Sequence, residues 1–171
     1  LDPDRPNFFL RTVSWNANHD IGERGWNEGL LEKLALELSR TGTVHISSEA
    51  ELPARLARFR YRGKVAYVHH LMAFCDLFVG ESATMASECA VLGVPAIYAA
   101  NTGLGYTDEQ EAKYGLVRNL RNFDWDSLHA VIVDMLKDAP ASWRVKRDQM
   151  LADTIEVAPF VVESILKNAR A

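Results

Sequence analysis

Residues Asp76 to Ile97 read DLFVGESATMASECAVLGVPAI, and the fold is decided by how this stretch changes period. Leu77 to Gly80 is a short apolar run of strand length. After the polar turn Gly80-Glu81-Ser82, residues from about Ala83 to Leu92 follow a helical, small-residue pattern, and Ala96 to Ala99 is a second strand-length run. A strand, a tight turn, a helix and another strand within so few residues make a β-α-β unit, which requires a parallel sheet.

The same alternation continues in both directions. Strand candidates are Phe8 to Val13, Thr43 to Ile46, Lys64 to Val68, Leu77 to Gly80, Ala96 to Ala99 and Leu116 to Val117, about six in all. Leu30, Leu34 and Leu38, with Leu31 and Ala35 beside them, predict the first crossover helix, ended by Thr41-Gly42. Further helices are expected over Leu71 to Phe74, Ala83 to Leu92, Thr107 to Tyr114, Trp125 to Lys137, Ala141 to Asp153 and Val157 to Lys167. The fold class is therefore α/β, a Rossmann-like doubly wound parallel sheet with helices on both faces. In such a sheet the Phe8 and Leu77 strands lie side by side, and the loops after them open a crevice where ligands bind. Those loops are Ser14 to Gly25, SWNANHDIGERG, and the elbow GESAT, Gly80 to Thr84.

Composition bounds the partners. The 171 residues are 48% hydrophobic and 25% charged, with a formal charge of −4 and a sequence pI near 5.7, a single soluble domain without the basic surplus of a nucleic-acid binder. Neither a membrane-length apolar run nor a signal-like start is present, so a cytoplasmic protein is expected. Cys75 and Cys89 stand in apolar segments without metal-ligand spacing and read as buried thiols. The polar lead-in LDPDRP, residues 1–7 with Asn7, reads as a linker, and the chain as a fragment of a longer two-domain polypeptide.

The elbow has two alternative readings, of which composition alone favours the second. Gly80 allows close backbone approach, Ser82 and Thr84 carry hydroxyls, and the helix starting near Ala83 presents unpaired N–H groups to an anion, most commonly phosphate. In the second, Ser82 or Thr84 serves as an ordinary N-cap, although Met85 and Ser87 stand where a capping box needs Glu or Gln. A serine hydrolase is disfavoured because Thr84 breaks the G-x-S-x-G pattern and the sole later histidine, His129, falls within an amphipathic helix. A dinucleotide enzyme is disfavoured because no G-x-G-x-x-G follows the first strand.

The run GESATMASECAVLGVPAI resembles the donor-binding segment in the C-terminal domain of two-domain GT-B glycosyltransferases and of the related UDP-N-acetylglucosamine 2-epimerases, closest to a poorly characterised branch with a loop like SWNANHD. The resemblance spans about Phe8 to Val117. It implies that Gly80, Ser82, Ala83 and Thr84 surround a nucleotide diphosphate, that Glu88 hydrogen-bonds the ribose, and that Glu109 and Gln110, in YTDEQ, meet the donor sugar. It places His69 and His70 near the base, with His70 as the base-pocket candidate, while His45 reads as structural.

In the first crevice loop, Asn16 and His19 are further candidate contacts. The epimerases carry a His-Arg-x-Glu-Asn type sequence there, which this chain lacks. The resemblance thus implies the nucleotide-sugar-binding half of a GT-B-type glycosyltransferase, with a UDP-sugar preferred because relatives most often use one. No cofactor and no metal are expected, since helix and backbone amides can neutralise the leaving diphosphate. The acceptor site would belong to an N-terminal domain absent from this sequence, so the isolated chain should bind without turnover. Two alternatives stay open: half of an epimerase-like enzyme, or a non-catalytic regulatory or assembly module.

Overall fold

The computed structural model describes residues 1–14 and 25–169. Five parallel strands, β1 (Asn7–Thr12), β2 (Thr43–Ser48), β3 (Leu77–Gly80), β4 (Ala96–Ala99) and β5 (Val117–Leu120), form one sheet in the order β2-β1-β3-β4-β5. β3 and β4 are buried at every residue, which is why they read as continuous apolar runs and not as alternating ones. β3 is the middle strand, with Phe78 paired to Phe9 and Gly80 to Arg11. The β1–β3 junction is the point where chain direction across the sheet reverses, as expected, and the two parallel strands end on the same side of the sheet.

Among the described residues the sheet has five strands where about six were expected. Lys64 to Val68 is not a strand: a 3-10 turn covers Val65–Tyr67 and runs into α2 (Val68–Ala73). Val65 is 86% exposed and has no strand beside it to complete a ladder. A single parallel bridge, Ile46 to Arg60, holds that outer position, with Tyr61 N donating to Ile46 O at 2.8 Å. A β-branched run is a strand only where a sheet edge accepts it.

α1 (Glu28–Ser39) is capped by the Asn27 side chain, which accepts from Leu30 N at 2.8 Å, and buries Leu31, Leu34, Ala35 and Leu38. α3 (Ala83–Leu92) has the expected bounds and ends at Gly93, whose φ of 76° is left-handed. The helix expected over Thr107 to Tyr114 starts earlier, as α4 (Gly105–Glu109), and continues as a π-helical turn, Gln110–Tyr114. α5 (Trp125–Met135), α6 (Pro140–Ala152) and α7 (Val157–Asn168) close the chain. Right-handed crossovers running in opposite directions from β1 and β3 put α1 and α3 on opposite faces. α5 shares α1's face, with Lys33 Nζ 4.2 Å from the Trp125 ring, while α2 and α6 pack on α3.

The core centres on Phe8, Phe9, Leu10, Leu77, Phe78, Val79 and Ile97, with the Phe9 and Phe78 rings edge to face at 5.8 Å. Cys75 and Cys89 are buried free thiols. Burial first, then the Asp76 charge, pushes Cys75 up to about 12, and burial raises Cys89 as well, so neither is a thiolate near neutral pH. Among the described residues, no helix is long and apolar enough to cross a membrane.

Candidate functional site

The site is built around the end of β3. A Cβ on Gly80 would lie 2.8 Å from Arg11 O and 2.8 Å from Phe78 Cζ, so only glycine lets the strand finish this tightly against β1. Two residues on, Ser82 is the N-cap of α3: its Oγ accepts from Met85 N at 3.4 Å and its carbonyl from Ala86 N at 3.0 Å. The next N–H groups, those of Ala83 and Thr84, find no acceptor among the described residues. Ala83 is buried and Thr84 exposed, leaving the first turn open to solvent. Cap and anion site are thus compatible here: Ser82 satisfies one amide and the positive end of the ten-residue helix keeps others available. The partner of Ser82 Oγ is a backbone amide and not a histidine.

The stems of the first crevice loop lie beside the elbow. Asn16 and His19 lie outside the described residues; Val13, Ser14 and Trp26 do not. Glu81, 4% exposed, accepts from Val13 N at 3.0 Å through Oε2 and from Trp26 N at 2.5 Å through Oε1. The Trp26 indole donates to Ala99 O, at the end of β4, at 2.9 Å. On the β2 side, Glu49 Oε2 accepts from both Ser14 N and Ser14 Oγ at 3.0 Å, and Arg11 pairs with Glu49 Oε1 at 2.5 Å. Glu81 is not among the site residues expected from the sequence. Its signal was a carboxylate between glycine and a cap, at the end of a buried strand, where burial demands donors.

Glu88 stands six residues beyond Ser82, about 9 Å along the helix axis. Its Oε2 lies 3.3 Å from His69 Nε2, and His69, Ser87, Glu88, Val91 and Leu92 line a hollow of about 310 Å³. His70 is turned elsewhere, with its ring 5.9 Å from Tyr67, in a hollow shared with His45 and Phe74. Consecutive helical residues point about 100° apart, so only one of the pair meets α3, and it is His69 and not His70. Glu109 is exposed and ion-paired with Lys113 at 2.5 Å; Asp108 pairs with Arg121 at 2.8 Å. Gln110 is 8% exposed and donates to Ser87 Oγ at 2.9 Å, tying the π-helical turn to α3. The sugar contact expected of Gln110 requires that buried bond to break, whereas Glu109 is held only by its exposed pair with Lys113.

Two D-x-D spacings occur. Asp124 of Asp124-Trp125-Asp126 caps α5 by accepting from Ser127 N at 2.9 Å, which holds its carboxyl below the usual range. Asp2 of Asp2-Pro3-Asp4 accepts from Asp4 N and from Thr43 Oγ1, at the opposite end of the sheet. Among the described residues no group of three His, Cys, Asp or Glu side chains is arranged to hold a metal ion.

Solved structures repeat this architecture. The glycotransferase of kitacinnamycin matches with a TM-score of 0.58 at 14% identity, over 89% of this chain and 41% of that one. CalG4, the calicheamicin glycosyltransferase, matches with a TM-score of 0.58 at 17% identity, over 88% and 39%. The UDP-GlcNAc 2-epimerase from Neisseria meningitidis, bound to UDP-GlcNAc, matches with a TM-score of 0.58 at 15% identity, over 97% and 45%. The chain has the fold of a GT-B domain. No family model matches its sequence, nor does any curated protein sequence. This GT-B domain spans about two fifths of the length of those solved proteins. At such identities the likeness concerns the fold, and transferases and an epimerase share it.

Proposed function

We propose that this chain is the nucleotide-sugar-binding, C-terminal half of a GT-B-type glycosyltransferase, with the donor's diphosphate at the amino end of α3. The observation that carries the reading is the open first turn of α3 at the β1–β3 junction, where the Ala83 and Thr84 amides are unspent and Gly80 lets β3 close tightly on β1. In glycosyl transfer the bond from the anomeric carbon to the diphosphate breaks, and negative charge grows on the departing phosphate oxygen. Amides and a helix dipole already aimed at that charge lower the barrier without a metal.

Along the same helix Glu88 takes the ribose hydroxyls, and the hollow beside His69 takes the base. Glu109 is the donor-sugar contact, and Asn16 and His19, in the first crevice loop, are further candidate contacts. An acceptor and its base would come from a second domain. An epimerase-like parent is the second reading, favoured by the 97% coverage of this chain by the epimerase match. It is distinguished by isomerisation of the sugar when no acceptor is supplied.

A calorimetric titration with UDP, comparing the chain with Glu88→Ala, tests the proposal. A hydrogen bond to a charged group is worth about 1.5–3 kcal/mol, so the variant should bind roughly ten- to a hundredfold more weakly. Its melting temperature should hardly move, because the Glu88–His69 pair is well exposed and such pairs add little stability. Equal UDP affinity in variant and wild type would remove Glu88 from the site.

A further inference from the structure

We infer that Glu81 is a positioning residue whose carboxylate fixes Val13 and Trp26, the described stems on either side of the first crevice loop, to the elbow, so that these stems and the amino end of α3 are set as one unit. The part of this that concerns ligand affinity rests on the proposed nucleotide site; the part that concerns the stems does not. Val13 lies one residue beyond β1 and Trp26 lies before α1, so neither amide is committed to a ladder or a helix, yet both donate to the same buried carboxylate.

Neighbouring bonds give each stem its own further anchor. Ser14 is held by Glu49 on the β2 side, and Trp26 reaches Ala99 on the β4 side. Glu81, whose own amide donates to Arg11 O at 3.0 Å, is where the two meet. It is also the residue between Gly80 and the cap Ser82, so a shift of either stem is passed to the first turn of α3 through one side chain. The chemistry requires a carboxylate: two oxygens accept from two amides that converge on it. Glutamine offers one oxygen and one NH2, and sets an N–H donor against one of the two amides.

Amide exchange read by NMR tests this directly, with a UDP titration beside it. In the wild type, Val13 and Trp26 amides should be protected within tenfold of the strand amides of Val79 and Ile97. In Glu81→Gln, exchange at Val13 or Trp26 should rise at least tenfold with Val79 and Ile97 unchanged, and UDP affinity should fall at least fivefold. Glu81→Asp, which keeps both acceptors on a shorter arm, should fall between. Unprotected Val13 and Trp26 amides in the wild type would overturn the inference without any variant, which also covers a Gln variant that fails to fold. Loosened stems with undiminished UDP affinity would overturn it too. A wild type that binds no UDP would instead defeat the proposed function, and the exchange data would still decide whether Glu81 holds the two stems.

Discussion

Thr84→Glu is expected to weaken UDP binding at least a hundredfold while leaving the melting temperature unchanged or slightly higher. Thr84 is exposed in the first turn of α3, so the longer side chain meets no packing penalty. A carboxylate there complements the helix dipole and contributes about 0.3–1 kcal/mol, at most a few degrees for a chain of this size. The same carboxylate occupies the position claimed for the diphosphate and repels it. Most substitutions that harm a site also harm the fold; this one separates them. Thr84→Val is the control, since it removes the hydroxyl and keeps the amide, and should cost less than tenfold. Undiminished UDP affinity in Thr84→Glu, measured by calorimetry beside a melting curve, would mean that the anion does not sit at α3.

Phe78→Ala should lower the stability of the chain by about 3–5 kcal/mol, the range for deleting a fully buried phenyl group. Phe78 is 0% exposed on the middle strand, packs edge to face on Phe9 at 5.8 Å, and places its ring beneath the space that Gly80 leaves open. Against a total of about 5–15 kcal/mol, such a loss removes a large part of the folding free energy. Urea unfolding followed by circular dichroism measures it through the midpoint, with Phe74→Ala, at a position 69% exposed, expected within about 0.5 kcal/mol of wild type. A cost below about 1 kcal/mol for Phe78→Ala would contradict its place under the elbow.

The elements nearest the elbow were the most legible. β3, α3 and β4 have the expected bounds because each is a short buried run punctuated by Gly80, Ser82, Gly93 and Pro95, local signals that do not depend on distant partners. Lys64 to Val68 misled because strand identity depends on a neighbouring edge, which apolar period cannot report. Within the site, cap and first turn were readable from residue types. That His69 and not His70 stands beside Glu88 depends on how α2 is rotated against α3, a tertiary property. Gln110 was expected to face the crevice, but the π-helical turn from Gln110 to Tyr114 sets it against Ser87. Glu81 escaped notice because its partners, Val13 and Trp26, lie far away in sequence and donate through backbone atoms, which carry no residue signature.

The central claim is that the amino end of α3 is a diphosphate site, and a paired calorimetric titration of the 171-residue chain with UDP and with uridine tests it most directly. The account predicts saturable UDP binding and at least a hundredfold weaker binding of uridine, because the diphosphate supplies the charge that the α3 amides answer. A folded chain that binds both alike, or neither, would contradict it.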